Sequence, residues 1–316
     1  MRLLFLSILF ILFMSSQSQT TQAELVLDSR ATLGEGAIWN YKTETLLWVD
    51  IEEGILNEFD PETGENQTFD MNQRTGTVVP VDKGGVLVAL EDGVYAFDLM
   101  EEKLEKVAHP EKGTENIRYN DGKCDPAGRF WVGSMGLDQK EGRAALYRID
   151  SDFSWKKMID EVTISNGIVW SPDKTRMYYI DTPTQKVMAY DYDNETGKIS
   201  NPEVAVAIPD GLGYPDGSTI DSEGMLWIAM WGGQGVTRWN PETGKLLERI
   251  TIPALNVTSC AFGGKNLETL FITSASAGMS EEQISRFPES GGVFKVKPGV
   301  KGIKASFFRT GSIKKD

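Results

Sequence analysis

Short apolar runs rich in aromatic and β-branched residues recur along the chain, each bounded by polar turn residues. The six runs are Leu47–Val49, Val86–Val88, Phe130–Val132, Met177–Tyr179, Leu226–Ile228 and Leu270–Ile272. Their composition predicts a β-strand in each case. Successive runs lie about 40 to 48 residues apart, a spacing typical of propeller blades rather than of helical repeats.

Each run has a short strand before it and a second strand after it, separated by turns such as DPAG, SPDK and DSEG. With one further outer strand, each unit becomes a four-stranded antiparallel blade. Six units predict an all-β fold, a six-bladed β-propeller. A two-sheet β-sandwich is the alternative, but a period repeated six times disfavours it. The segment 24–31 is expected to complete the last blade and close the ring, and the only helix-like stretch of note lies near Met279.

The N-terminus resembles a secretory signal peptide. One basic residue precedes an apolar segment of about a dozen residues, which is too short to span a membrane, and a small-x-small pattern follows it. Residues 1–23 are therefore predicted to be cleaved, and residues 24–316 to form one propeller domain. The mature protein is expected to be secreted or periplasmic, with no membrane attachment after cleavage.

The composition of the chain limits which partners and which catalytic groups the protein can use. The net charge is −14 and no basic run occurs, which argues against nucleic acid or an anionic membrane as partner. His109 is the only histidine, so a multi-histidine zinc site is excluded, and its polar surroundings favour a surface position. Any catalysis must use carboxylates, amides or a bound metal. The cysteines, Cys124 and Cys260, fall on inner strands of opposite blades, which predicts two buried free thiols.

The first strand of each blade lines the central channel, so equivalent residues of these strands meet at one mouth. The equivalent triplets are Gly34–Gly36, Thr75–Thr77, Asn120–Gly122, Ser165–Gly167, Pro215–Gly217 and Thr258–Cys260. Four of them carry an acid or an amide directly before glycine. Turn formation explains any single pair. Four equivalent pairs instead predict oxygen ligands around one axis, which suit a hard divalent cation.

The sequences LGEGAIW, RYNDGKCDPAGRFWVGSM, SNGIVWS, YYIDT, YPDG and TSCAFGG, in this order, resemble the signatures of the senescence-marker-protein/gluconolactonase/luciferin-regenerating-enzyme family. The resemblance covers essentially the whole chain after the signal segment. It implies a six-bladed propeller, one divalent metal ion and hydrolysis of a small sugar lactone. Ca²⁺ is the expected ion, with Zn²⁺, Mg²⁺ or Mn²⁺ as alternatives.

Residue by residue, the resemblance assigns two sets of site residues. The implied metal ligands are Glu35, Asn166 and Asp216. The implied substrate contacts are Arg118, Asn120 and Asp138. Asp138 departs from the family's best-known member, which has glutamate there, and this places the identity of the lactone in question more than the reaction.

The resulting hypothesis is a metal-dependent lactonase in which the metal stabilises developing negative charge and Asp216 also serves as the general base. Arg118 and Asn120 would orient the substrate. Two other functions stay open: a calcium-binding propeller without catalysis, and a metal-dependent hydrolase resembling phosphotriesterases, because propellers support many functions. The chain is expected to act as a monomer or a weak oligomer.

Overall fold

The computed structural model describes residues 23–311. The predicted signal segment, apart from Ala23, and the last five residues lie outside the described residues. Within 23–311, no helix has the length and apolarity needed to cross a membrane.

The described chain forms six four-stranded antiparallel sheets, which confirms the predicted fold. The first strand, β1 (Glu24–Leu27), belongs to the last sheet. Blade 1 contains β2 (Gly34–Asn40), β3 (Thr45–Asp50), β4 (Ile55–Phe59) and β5 (Asn66–Asp70). Blade 2 contains β6 (Thr75–Pro80), β7 (Val86–Leu90), β8 (Gly93–Asp98) and β9 (Lys103–Ala108). Blade 3 contains β10 (Ile117–Cys124), β11 (Phe130–Gly136), β12 (Ala144–Ile149) and β13 (Trp155–Val162).

The second half repeats the same order, with a short 3-10 turn at Thr182–Thr184. Blade 4 contains β14 (Ser165–Trp170), β15 (Arg176–Asp181), β16 (Lys186–Asp193) and β17 (Lys198–Ala207). Blade 5 contains β18 (Tyr214–Ile220), β19 (Leu226–Trp231), β20 (Gly235–Asn240) and β21 (Lys245–Thr251). Blade 6 contains β22 (Asn256–Gly263), β23 (Thr269–Ala275) and β24 (Val293–Val296), with β1 as its outer strand.

The ring closes where the predicted segment pairs with the end of the chain. Strand β1 pairs antiparallel with β24, and Leu25 lies opposite Phe294. The six apolar runs form the second strands of the blades, where Trp48, Trp131 and Trp227 are at most 1% exposed. Because both faces of these strands are covered by neighbouring blades, their side chains form the hydrophobic core between the sheets.

The helix expected near Met279 is α1 (Glu281–Arg286), which begins with a capping box at Ser280. In the box, the Ser280 hydroxyl accepts from the Gln283 backbone N–H, and the Gln283 side chain accepts from the Ser280 backbone N–H. Cys124 and Cys260 are buried free thiols on β10 and β22, as predicted.

All six inner strands share an irregularity at the same place. The pairing register with the second strand shifts within or directly next to each channel-lining triplet, for example between Glu35 and Ile38 and between Pro215 and Ser218. A shift of this kind inserts an extra residue and turns side chains away from the regular alternation. The bulges therefore aim the acid and amide residues at the channel mouth.

Candidate metal and lactone site

A pocket of about 420 Å³ lies at the mouth where the inner strands begin. Five of the six residues assigned by the resemblance line it: Glu35, Arg118, Asn120, Asn166 and Asp216. Each is at most 6% exposed, although all five are polar. Burial of so many polar groups is costly unless they are paired or hold a ligand, so their convergence marks this mouth as the candidate site.

Two carboxylates at strand ends accept hydrogen bonds from the loops that lead into β2 and β14. Asp50, at the end of β3, accepts hydrogen bonds from the backbone N–H groups of Thr32 and Leu33 at 2.8 and 3.0 Å. Asp181, at the end of β15, accepts in the same way from Thr163 and Ile164 at 3.1 and 2.9 Å. These contacts fix the backbone immediately before β2 and β14, and thereby the positions of Glu35 and Asn166.

The glycine after three of the four acid or amide residues has a packing role. A Cβ atom at Gly122, Gly167 or Gly217 would lie between 2.5 and 2.7 Å from atoms of a neighbouring strand. None of these three has a positive φ, so turn formation does not account for them. At Gly167 and Gly217 the close atoms belong to the next inner strand, so glycine allows these strands to approach closely around the axis; at Gly122 they belong to β11 of the same blade.

Glu35 and Asp216 are two buried carboxyl groups whose pKa values are both raised. Burial, followed by the negative charge of Asp121, raises the pKa of Glu35 from 4.5 to about 7. Burial and the charge of Glu35 raise the pKa of Asp216 well above its usual range. Each of the two carboxyl groups acts on the pKa of the other, and both line the same pocket. Two buried acids this close favour binding of either a proton or a cation.

A hydrogen-bonded chain runs from Arg118 through Asn120 to Asn166. The guanidinium Nη1 of Arg118 donates to Asn120 Oδ1 at 2.6 Å. Asn120 Nδ2 then donates to Asn166 Oδ1 at 3.2 Å and to the Ser165 carbonyl at 2.7 Å. Asn166 Nδ2 donates to Thr182 Oγ1 at 2.8 Å, which points its amide oxygen away from Thr182. The chain fixes which end of each amide faces the pocket.

The donor set fits a hard divalent cation. Glu35 and Asp216 supply carboxylate oxygens, and Asn166 supplies an amide oxygen with one lone pair still free. Asp216 Oδ1 is buried and has no hydrogen-bond partner within the described residues. Over residues 23–311 no group of three or more His, Cys, Asp and Glu residues is arranged for a metal. This set has two acids and an amide, the composition of an oxygen site that keeps positions open.

Asp138 lies apart from the other assigned residues. It is exposed in the loop after β11, where its carboxylate pairs with Arg143 at 2.8 Å and with Lys140 at 3.0 Å. Its neighbour Gln139 lines the pocket instead. The structure therefore brings five of the six assigned residues together and places Asp138 in a surface ion-pair cluster outside the pocket.

Four residues contribute to the site although the resemblance assigns none of them a role. Asp121 belongs to one of the four equivalent acid–glycine pairs; it lies in β10, only 4% exposed, and its charge acts on both Glu35 and Asp216. The Thr182 hydroxyl accepts a hydrogen bond from Asn166 and donates one to the Pro215 carbonyl at 2.8 Å, so it connects β14 and β18. Tyr214 and Trp231 form an aromatic part of the pocket wall.

Comparison with known proteins identifies the family. The SMP-30/Gluconolactonase/LRE-like region matches residues 33–276. YvrE of Bacillus subtilis, whose name provisionally assigns it as a sugar lactone lactonase, is 40% identical over 275 residues, covering 87% of this chain and 94% of YvrE. Regucalcin of Danio rerio is 40% identical over 286 residues, covering 89% and 96%. The crystal structure of regucalcin from Agrobacterium tumefaciens, described as a calcium-binding protein, superposes with a TM-score of 0.88 at 28% identity, covering 92% and 98%. The chain belongs to the SMP-30/gluconolactonase/LRE-like family.

Proposed function

We propose that the protein is a metal-dependent hydrolase that opens a small sugar lactone in the pocket at this channel mouth. The observation that carries the proposal is the buried pair of Glu35 and Asp216, placed beside the Asn166 amide oxygen and the paired Arg118 and Asn120. The names of the relatives support the substrate class, and the calcium-binding regucalcin structure supports Ca²⁺ as the ion.

The residues divide the work by chemistry. Glu35, Asn166 and Asp216 would hold the ion, which when bound polarises an ester carbonyl and stabilises negative charge on its oxygen. Both contacts of Arg118 use Nη1, so Nε and Nη2 are left to bind sugar hydroxyl oxygens. Burial lowers the pKa of Arg118 to about 10, which still leaves the guanidinium charged at neutral pH.

Asp216 would serve as the general base. One oxygen of its carboxylate would hold the ion while the other accepts a proton from a water molecule as the water oxygen forms a bond to the lactone carbonyl carbon. The ring carbon–oxygen bond then breaks, and the ring oxygen takes up the proton to become a hydroxyl group. The product is the open-chain hydroxy acid. We further propose that the mature protein is exported, in keeping with the N-terminal pattern.

The experiment is a hydrolysis assay on purified protein with glucono-δ-lactone, in chelator and after addition of Ca²⁺. We expect lactone hydrolysis that requires the ion and that disappears in Asp216→Asn, while Asp70→Asn, an exposed acid at the end of an outer strand, retains activity. A phosphotriester assayed in parallel tests the alternative hydrolase. Metal binding without turnover of either substrate would instead support a calcium-binding propeller and would refute the lactonase.

A further inference from the structure

A second cavity lies at the opposite end of the channel from the candidate site. The inner strands end there, and the segment 302–311 crosses the opening. This segment is bridged to the blades at three points: Gly302 to Asp221, Ser306 to Cys124 and Phe308 to Val81. Between its first two anchors it covers a cavity of about 280 Å³.

Most of the wall of this cavity is apolar. Trp39 and Phe262 come from the ends of inner strands, and Ile303 comes from the covering segment. Gly302 holds the cover close, because a Cβ atom there would lie 2.1 Å from Phe262 Cβ. Ile303 is 36% exposed, so the cover leaves an edge open to solvent. An enclosed apolar space with an open edge can accept the hydrophobic part of a small molecule.

The charges at the cavity all have the same sign. Lys123, Lys174 and Lys304 line it, and among its described lining residues none is acidic. This is unusual for a chain with 46 acidic and 32 basic residues. Lys123 is partly buried and its ammonium group donates to the Ser218 carbonyl at 2.5 Å, which leaves two further donors. Lys304 lies over the Tyr41 ring at 4.9 Å, so it contributes mainly its aliphatic stem.

The indole N–H of Trp170 lacks a hydrogen-bond partner within the described residues. Trp170 lines the cavity and is 5% exposed. Buried donors of this kind are normally paired. The cavity wall therefore combines apolar side chains, the Trp170 indole and lysine ammonium groups, and the lysine charges favour an acceptor that carries negative charge.

We propose that this cavity binds a small anionic amphiphile, a monocarboxylate with an apolar chain or ring. The apolar body lies between the strand ends and the covering segment, and the carboxylate lies toward Lys123 and Lys174. This site is separate from the lactone pocket: no residue lines both. The proposal is thus independent of the function proposed for the other mouth.

The test is calorimetric titration of the full chain with decanoate, and with decanol as the uncharged probe of equal chain length. We expect decanoate to bind at least tenfold more tightly than decanol. Lys123→Met should weaken decanoate binding about tenfold, and Lys174→Glu, a change at an exposed residue, should weaken it several-fold. Lys245→Glu, an equal charge change on an outer strand, is the matched control and should leave the affinity unchanged.

Three results would overturn the proposal. The first is equal affinity for decanoate and decanol, which would show that charge has no role. The second is an equal loss of affinity in Lys174→Glu and Lys245→Glu, which would show only a long-range electrostatic effect. The third is the lack of any decanoate binding by the parent protein, which would make the cavity a packing feature.

Discussion

The carboxyl pair predicts that a metal-ligand substitution stabilises the metal-free protein. In Glu35→Gln the side chain keeps its size, and its amide oxygen can still accept from the Gly36 N–H, a bond of 3.0 Å in the parent. The substitution removes one of two buried charges. In chelator at about pH 8 we therefore expect Glu35→Gln to have a higher free energy of unfolding than the parent.

The size of this difference in the free energy of unfolding follows from the raised pKa of Glu35. A buried acid whose folded pKa exceeds its unfolded pKa destabilises the protein as pH rises from the unfolded value to the folded one. For Glu35 these values are 4.5 and about 7, and at ~1.4 kcal/mol for each pH unit the full difference is about 3 kcal/mol. This loss of stability is complete above about pH 7. It is nearly absent at about pH 4, where Glu35 is mostly protonated in both the folded and the unfolded protein.

The assay is urea unfolding in chelator, followed by tryptophan fluorescence, at about pH 4 and about pH 8. Glu35→Gln should match the parent at the lower pH and exceed it by up to ~3 kcal/mol at the higher pH. Saturating Ca²⁺ should reverse the order, because the parent alone retains both carboxylate ligands. Glu62→Gln, at an exposed turn, is the control and should change nothing. A parent more stable than Glu35→Gln at both pH values without metal would refute the reasoning.

Further outcomes concern the substrate contacts and the fold. Arg118→Lys keeps the charge but loses the forked donor set, so kcat/KM for a sugar lactone should fall about 10- to 100-fold while calcium affinity, measured by calorimetry, stays unchanged. Asp138→Ala should alter kcat/KM less than about twofold, because Asp138 lies outside the pocket in an exposed ion pair with Arg143; a large loss would show that the loop closes over the substrate. Asp125→Asn should lower the free energy of unfolding by about 3 kcal/mol, since this fully buried carboxylate accepts from Arg129 Nε at 2.6 Å; an unchanged urea midpoint would contradict this.

The period of the apolar runs was sufficient to predict the blades, their number and the closure of the ring. Each run packs between two neighbouring sheets. Apolar residues are therefore required at the same position in every blade, and this requirement produces the period. The same repetition locates the proposed ligands, because Glu35, Asn166 and Asp216 occupy equivalent places on inner strands. In this respect the candidate site was predictable from position in the repeat, without knowledge of the chemistry.

Other features depend on contacts between residues far apart in sequence. Asp138 pairs with Arg143 outside the pocket. The sequence of a polar loop does not indicate which basic residue its acid will pair with, so this position could not be predicted. Asp121 shares the acid–glycine pattern of the other inner strands, but its electrostatic effect on Glu35 and Asp216 depends on burial in β10 that the pattern alone does not show. The cavity at the far mouth exists because the segment 302–311, which follows blade 6, returns to bridge Cys124 in blade 3, and no local pattern encodes a contact between residues so far apart in sequence.

The most direct test of the central claim is a titration of metal-stripped protein with Ca²⁺ in which bound ion and lactone hydrolysis are measured on the same samples. The account predicts that both rise together and level off at one ion per chain, and that Asp216→Asn shows neither. Full lactone hydrolysis in the stripped parent, or hydrolysis by Asp216→Asn at the parental rate, would contradict it.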